Sequence, residues 1–229
     1  MWNLARKVNV TRLVCRPVQS HSKCTKYHNI QGLYYIPNFL SDEEHDKSIN
    51  TIRRNPWRKE LARWQQFYET EDNTPFSDFQ WMVDKLYEEK MYESIPGGVF
   101  QKDKKNQPTQ LLVNRYIKNQ GIGYHVEDPT MFGDVLLTVS FCNPIHISLK
   151  KDKSEETSLD ILLEPKSLLV LKDDARYNWF HGIKRQNSFR LPDDTIIERG
   201  ENYLRYSITM RRVLHDKFFS MNKISHTSP

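Results

Sequence analysis

Cysteine, glycine and long apolar runs are all scarce in this chain. Its three cysteines, Cys15, Cys24 and Cys142, are odd in number and unevenly spaced. That argues against a disulfide framework and for a reducing compartment or a buried free thiol. The longest apolar stretches, Val135-Leu136-Leu137-Thr138-Val139 and Ser167-Leu168-Leu169-Val170-Leu171, are strand-length and far short of the ~18 residues that a membrane-spanning helix needs. No membrane is therefore expected among its partners. Charge imbalance is also missing from most of the chain. The formal charge is +5, but six of the 34 Lys+Arg lie before residue 42 with no acid among them, so the remaining 28 face 29 Asp+Glu. The basic pI thus gives no reason to read the body as a phosphate-backbone binder.

What is present suits one domain: 229 residues with 38% hydrophobic and 12% aromatic side chains can close a single core. The expected organisation is a basic leader over 1–28, a folded domain over 29–215 and a loose tail over 216–229. The leader mixes Leu4, Val8, Leu13 and Val14 with Arg6, Lys7, Arg12 and Arg16, lacks acids, and is followed by Ser20, Ser22 and Thr25. It reads as a mitochondrial presequence, since an amphipathic cationic helix is drawn toward a negative membrane interior. Matrix localisation follows, with a basic tail on a nuclear or cytoplasmic protein as the alternative.

Gly32 to Leu40 reads as a short strand running into a turn. Ser41-Asp42-Glu43-Glu44 opens a capped helix that runs through Ile49 and Ile52 until Pro56 stops it. Trp57, Trp64, Phe67 and Tyr68 then form an aromatic cluster, either a lid whose rings stack on a planar substrate or cover for a sheet edge. Ser77-Asp78 predicts a second capped helix with Phe79, Val83, Leu86 and Tyr87 on one face. From residue 97 onward the pattern turns to strands: 97–101, 110–117, 135–142, 145–149, 159–163, 167–171, 177–183 and 203–213, separated by Gly, Pro, Asn and Asp. Eight short strands without intervening helices predict a mainly β (α+β) fold, a double-stranded β-helix or jelly roll with the N-terminal helices packed outside.

Residues two apart on a strand face the same way, so His125 and Glu127 project together. With His181 they would supply two imidazoles and one carboxylate, the ligand set of a non-haem Fe(II) centre that leaves positions open for oxygen and a co-substrate. His-x-Glu alone is a weak motif. It gains weight from Arg205, Ser207, Thr209 and Arg211, which share one strand face. Alternating inward arginines are hard to explain as packing and well suited to a buried carboxylate. The opposite parity, with Tyr206, Ile208 and Met210 inward, stays open on periodicity alone.

The ordered set Asn114-x-Tyr116, His125-x-Glu127, Arg176-Tyr177-x-Trp179-x-His181-Gly182-Ile183 and Arg205-x-Ser207-x-Thr209-x-Arg211 resembles the AlkB-like Fe(II)/2-oxoglutarate-dependent dioxygenases from about Leu33 to Val213. The resemblance implies Fe(II), 2-oxoglutarate and O2 as cofactors and co-substrates. It puts His125, Glu127 and His181 on iron, and Asn114, Tyr116 and Arg205 on the oxoglutarate. Arg211 would support the other end of that molecule and Ser207 would sit beside it, while Arg176 and Trp179 would line or brace the site; Phe67 and Tyr68 of the aromatic cluster, read as a lid, are the other candidate substrate residues. The family usually has Asp where this chain has Glu127, and Asp128 follows immediately. Opposite strand faces favour Glu127, while a bulge would favour Asp128. The implied activity is oxidative demethylation or hydroxylation, of methylated nucleic acid or of a protein or metabolite. A relative with a degraded iron site is the third reading. Oligomeric state is not specified by the sequence.

Overall fold

Along the strands the apolar pattern is that of a sheet covered on both sides, and this places the site. The computed structural model describes residues 25–26, 30–60, 63–71, 74–88, 91, 95, 98–100, 107–154 and 158–214. The residues of the expected presequence up to 24, and the tail from 215, lie outside the described residues. Eight strands form one sheet in the order β1 (Thr25–Lys26), β2 (Leu33–Ile36), β10 (Leu168–Leu171), β7 (Phe132–Cys142), β14 (Leu204–Val213), β5 (Gln110–Ile117), β4 (Arg63–Glu69) and β3 (Arg58–Glu60). Four more form a second sheet in the order β6 (Ile122–His125), β11 (Phe180–Ile183), β8 (Ile145–Lys150) and β9 (Leu159–Leu163). All pairings are antiparallel, giving the double-stranded β-helix that the alternation predicts.

Burial follows strand parity. Leu137, Val139, Ile208, Met210, Leu168 and Val170 point outward into a layer completed by Ile49, Ile52, Phe79 and Met82. Leu136, Leu169 and Leu171 point inward, toward Ile147, Ile161 and Leu163 of the smaller sheet. β10 is buried at every position because both its faces are covered.

The outer layer is held by α1 (Asp42–Arg54), which begins in a complete capping box between Ser41 and Glu44. Such a box satisfies two amide donors that the helix cannot pair internally. Glu44 also receives Lys85 Nζ at 2.7 Å, tying α1 to α2 (Gln80–Lys85).

Four expectations need correction. The second helix starts at Gln80 with no side-chain cap at its N-terminus, so Ser77-Asp78 does not open it; turn residues occupy 77–79. Val99 and Phe100, expected in a strand, form a buried bend. The strand expected over 177–183 is shortened to Phe180–Ile183 because α3 (Asp173–Tyr177) precedes it. A hairpin of β12 (Ser188–Arg190) and β13 (Ile196–Glu198) was not anticipated. Trp57, Trp64, Phe67 and Tyr68 lie on or beside β3 and β4 at the edge of the large sheet, where Trp57 stacks on Tyr206 at 5.6 Å.

Candidate metal and co-substrate site

Side chains in register on neighbouring strands share a face, and the inner face of the large sheet therefore carries polar and apolar rungs in order. Gln65, Asn114, Ser207 and Ser140 form one rung, Phe67, Leu112, Thr209 and Thr138 the next, and Glu69, Gln110, Arg211 and Leu136 a third. Tyr116 lies opposite Arg205 at the other end, with the Arg63 guanidinium 5.8 Å from the Tyr116 ring. The facing sheet sets His125 directly across from His181. Between the two sheets is a cavity of about 280 Å³ lined by both histidines, Glu127, Asn114, Tyr116, Arg205 and Ser207.

One donor atom from each of His125, Glu127 and His181 falls within 4.8 Å of the others. His125 Nδ1 donates to the Gly123 carbonyl at 2.8 Å, which fixes the tautomer and leaves Nε2 as the lone pair. That Nε2 is 3.8 Å from Glu127 Oε1. Burial pushes the His181 imidazolium down to about 4, helped by the neighbouring His125 and opposed by Glu127. Glu127 feels burial too, which alone would raise it. The neighbouring His125 and the Arg211 charge win, and hold it at about 2. At neutral pH the cluster is one carboxylate and a His181 with its lone pair free, as metal ligation requires.

Glu127 lies just past the end of β6 and is held from two sides. Arg211 Nη1 donates to Oε2 at 2.9 Å. The wholly buried Arg176 donates to the carbonyls of Glu127, Phe132 and Gly133 at 2.8, 3.2 and 3.2 Å. Asp128 turns away: its exposed carboxylate accepts the Thr130 amide and hydroxyl, both at 2.7 Å. Glu127 is thus the acid that faces the two histidines.

At the far end, Arg205 is 1% exposed and donates Nη2 to Ser140 Oγ at 2.9 Å, while Nε and Nη1 have no partner among the described residues. Burial lowers its pKa, with Tyr116 and Tyr203 rather than any carboxylate opposing. A buried guanidinium with unpartnered N–H groups is matched by an anionic oxygen ligand such as a carboxylate. Asn114 Oδ1 accepts from Gln65 Nε2 at 2.6 Å, which leaves the Asn114 amide nitrogen as the end that can donate further. The residues present therefore fit both a divalent metal and a bound oxo-acid.

The structure separates the expected substrate residues. Phe67 stands on the inner face opposite Leu112 and is 37% exposed. Tyr68 has the opposite parity, and its ring packs edge-on against Phe79 of the outer layer at 5.0 Å. Arg176 is a brace of the 127–133 loop, with its three bonds all to backbone carbonyls. Trp179 donates Nε1 to Asp174 Oδ2 at 2.8 Å, closing α3 rather than facing the cavity. Arg211 is likewise committed to Glu127, instead of being free for the second end of oxoglutarate. Gln110 and Ser140 escaped the sequence reading, although Gln110 shares its parity with Leu112, Asn114 and Tyr116. That parity was the available signal.

A model of the 2OG-Fe(II) oxygenase superfamily matches residues 32–211. The chain is 24% identical over 201 residues to the uncharacterized protein L905 of Acanthamoeba polyphaga mimivirus, covering 85% of this chain and 91% of that one. It is 24% identical over 200 residues to a DNA N6-methyl adenine demethylase of Caenorhabditis elegans, covering 80% and 68%. The tRNA (carboxymethyluridine(34)-5-O)-methyltransferase ALKBH8 of Macaca fascicularis matches at 33% over 79 residues, 34% of this chain but 12% of that protein. Among solved structures, OsALKBH1 superposes with a TM-score of 0.56 at 14% identity, covering 79% of this chain and 96% of that one. The chain belongs to the 2OG-Fe(II) oxygenase superfamily and is an AlkB-like member of it. It is an enzyme of the Fe(II)- and 2-oxoglutarate-dependent dioxygenase class.

Proposed function

We propose that this dioxygenase removes N-methyl groups from a nucleic-acid base by hydroxylating the methyl carbon, the product then splitting into the amine and formaldehyde. The observation that carries this is the His125–Glu127–His181 cluster at one end of a cavity whose other end is Arg205, two of whose nitrogens have no partner among the described residues. When bound, iron with O2 and 2-oxoglutarate supplies the oxidising power, the oxo-acid leaving as succinate and carbon dioxide. The protein's own part is placement. His125, Glu127 and His181 would hold the metal. Arg205 takes the distal carboxylate of oxoglutarate, with Tyr116, Asn114 and Ser207 around the chain. Ile147, Leu163, Leu169 and Leu171 line the cavity with apolar surface, which strengthens the Arg205–carboxylate attraction by excluding water.

Nucleic acid as substrate is supported by the demethylase named among the relatives and by the β3–β4 edge. Phe67 is partly exposed on the inner face there, and an extruded base stacks on such a ring. The near-neutral body limits how much affinity backbone charge contributes, so recognition rests on the base. Formaldehyde release from N-methylated single-stranded DNA and RNA, compared with methylated peptides, tests the proposal. Release from peptides alone would overturn it. We further read the acid-free N-terminal segment as a mitochondrial presequence. Import assays on the full chain against one starting at Tyr27 test this, and equal uptake would contradict it.

A further inference from the structure

We infer that Gln110 is a positioning residue for the metal ligand Glu127, acting through Arg211 along one rung of the sheet. The inference rests on the metal-site reading above and deepens it.

Glu69, Gln110 and Arg211 are direct cross-strand neighbours on β4, β5 and β14, so their side chains leave the sheet side by side on its inner face. They are joined head to tail. Gln110 Nε2 donates to Glu69 Oε1 at 2.6 Å, and Gln110 Oε1 accepts Arg211 Nε at 2.7 Å. Arg211 Nη1 donates to Glu127 Oε2 at 2.9 Å. The order of donors admits one orientation of the Gln110 amide. Flipped, its NH2 would face the guanidinium and its oxygen the Glu69 carboxylate, losing both bonds and setting like against like.

Arg211 needs this partner. The face of its guanidinium lies 3.7 Å from the Phe132 ring centroid, a stacked contact that fixes the plane but leaves rotation within it free. The Nε bond to Gln110 removes that rotation and so aims Nη1 at Glu127. A glutamate reaches the metal through one more rotatable bond than an aspartate, and its two oxygens are otherwise equivalent. With Oε2 engaged by Arg211, Oε1 is the oxygen turned toward His125 Nε2, 3.8 Å away. The rung therefore selects a one-oxygen ligand and fixes its direction. Gln110 is 2% exposed, so no solvent competes for its oxygen.

The test uses Co(II) as a redox-stable probe, titrated into the full-length, metal-free protein and read by its visible absorption. Gln110→Met keeps side-chain length but offers no comparable acceptor, and Gln110→Leu is the second variant should Met pack badly. The expected result is a Co(II) dissociation constant raised about tenfold or more, the usual size of an outer-shell effect. The absorption bands should also change as Glu127 is released to bind through either or both oxygens, a change that the several-degree fall in metal-free melting temperature expected from the lost Arg211 Nε bond would not by itself produce. Unchanged bands and an affinity within twofold in both variants, against a natural protein that binds Co(II), would overturn the role of Gln110 alone. A natural protein that takes up no Co(II) would overturn the metal-site reading and this inference with it.

Discussion

Arg205→Met should make the protein more stable and less able to bind its co-substrate, two changes that a structural arginine would not produce together. In the structure two guanidinium nitrogens are buried without partners among the described residues, each costing about 1–3 kcal/mol. The compensation is one bond to Ser140 at 2.9 Å and a Tyr116 ring 5.2 Å from the guanidinium carbon, together about 2–3 kcal/mol. Methionine keeps most of the volume and removes the charge, so metal-free, oxoglutarate-free protein should gain about 1–3 kcal/mol. For a chain of this length that is a rise in melting temperature of about 2–12 °C. Loss of a buried charge-assisted contact with the distal carboxylate costs about 2–5 kcal/mol, a fall in oxoglutarate affinity of roughly 30-fold to several thousand-fold. Thermal unfolding with Mn(II) and increasing 2-oxoglutarate measures both effects. A variant that melts lower yet is stabilised by oxoglutarate as strongly as the natural protein would refute the reasoning.

The adjacent acids should separate cleanly. Glu127→Ala removes one of three donors and is expected to weaken Co(II) binding at least about 100-fold. Asp128→Ala should cost about 1 kcal/mol of stability through the lost Thr130 bonds and leave Co(II) affinity within twofold. Acid should destabilise the metal-free protein. Unfolded His181 takes a proton near 6.5, whereas the native imidazole resists until about 4. Between these values the unfolded state binds more protons, so stability rises with pH by up to about 3 kcal/mol across the window. Glu127, held at about 2 against an ordinary 4.5, adds a further loss of the same sign below pH 4.5. Urea midpoints from pH 7 to pH 4 in chelator should show the His181 slope, and His181→Ala should flatten it.

Much of this site was legible because strand parity carries it. Arg205, Ser207, Thr209 and Arg211 share a face by count alone, and the apolar residues between them form the other face, so the register of β14 against β5 and β7 places one set in the cavity and the other in the helix layer. Glu127 was a harder case, since it stands beyond the end of β6 where alternation no longer applies. Its direction comes from Arg176 and Arg211, two residues far along the chain. Tyr68 and Trp179 were misassigned for the same kind of reason. An aromatic beside a site motif looks like a substrate contact until parity, or a partner such as Asp174, turns it elsewhere. Helix α3 was hidden because the run from Tyr177 to Ile183 is β-like in composition, while Asp173 and Asp174 favour the first turn of a helix immediately before it. Gln110 could not be valued from sequence, because its role exists only once Glu69 and Arg211 are aligned beside it.

The most direct measurement is succinate formed from 2-oxoglutarate by the natural protein and by His181→Ala, each with Fe(II) and O2 in the presence of an N-methylated single-stranded oligonucleotide. We expect iron-dependent succinate from the natural protein, matched by formaldehyde, and none above background from the variant. Equal succinate from both, or none from a natural protein shown to hold iron, would contradict a dioxygenase centre built on His125, Glu127 and His181.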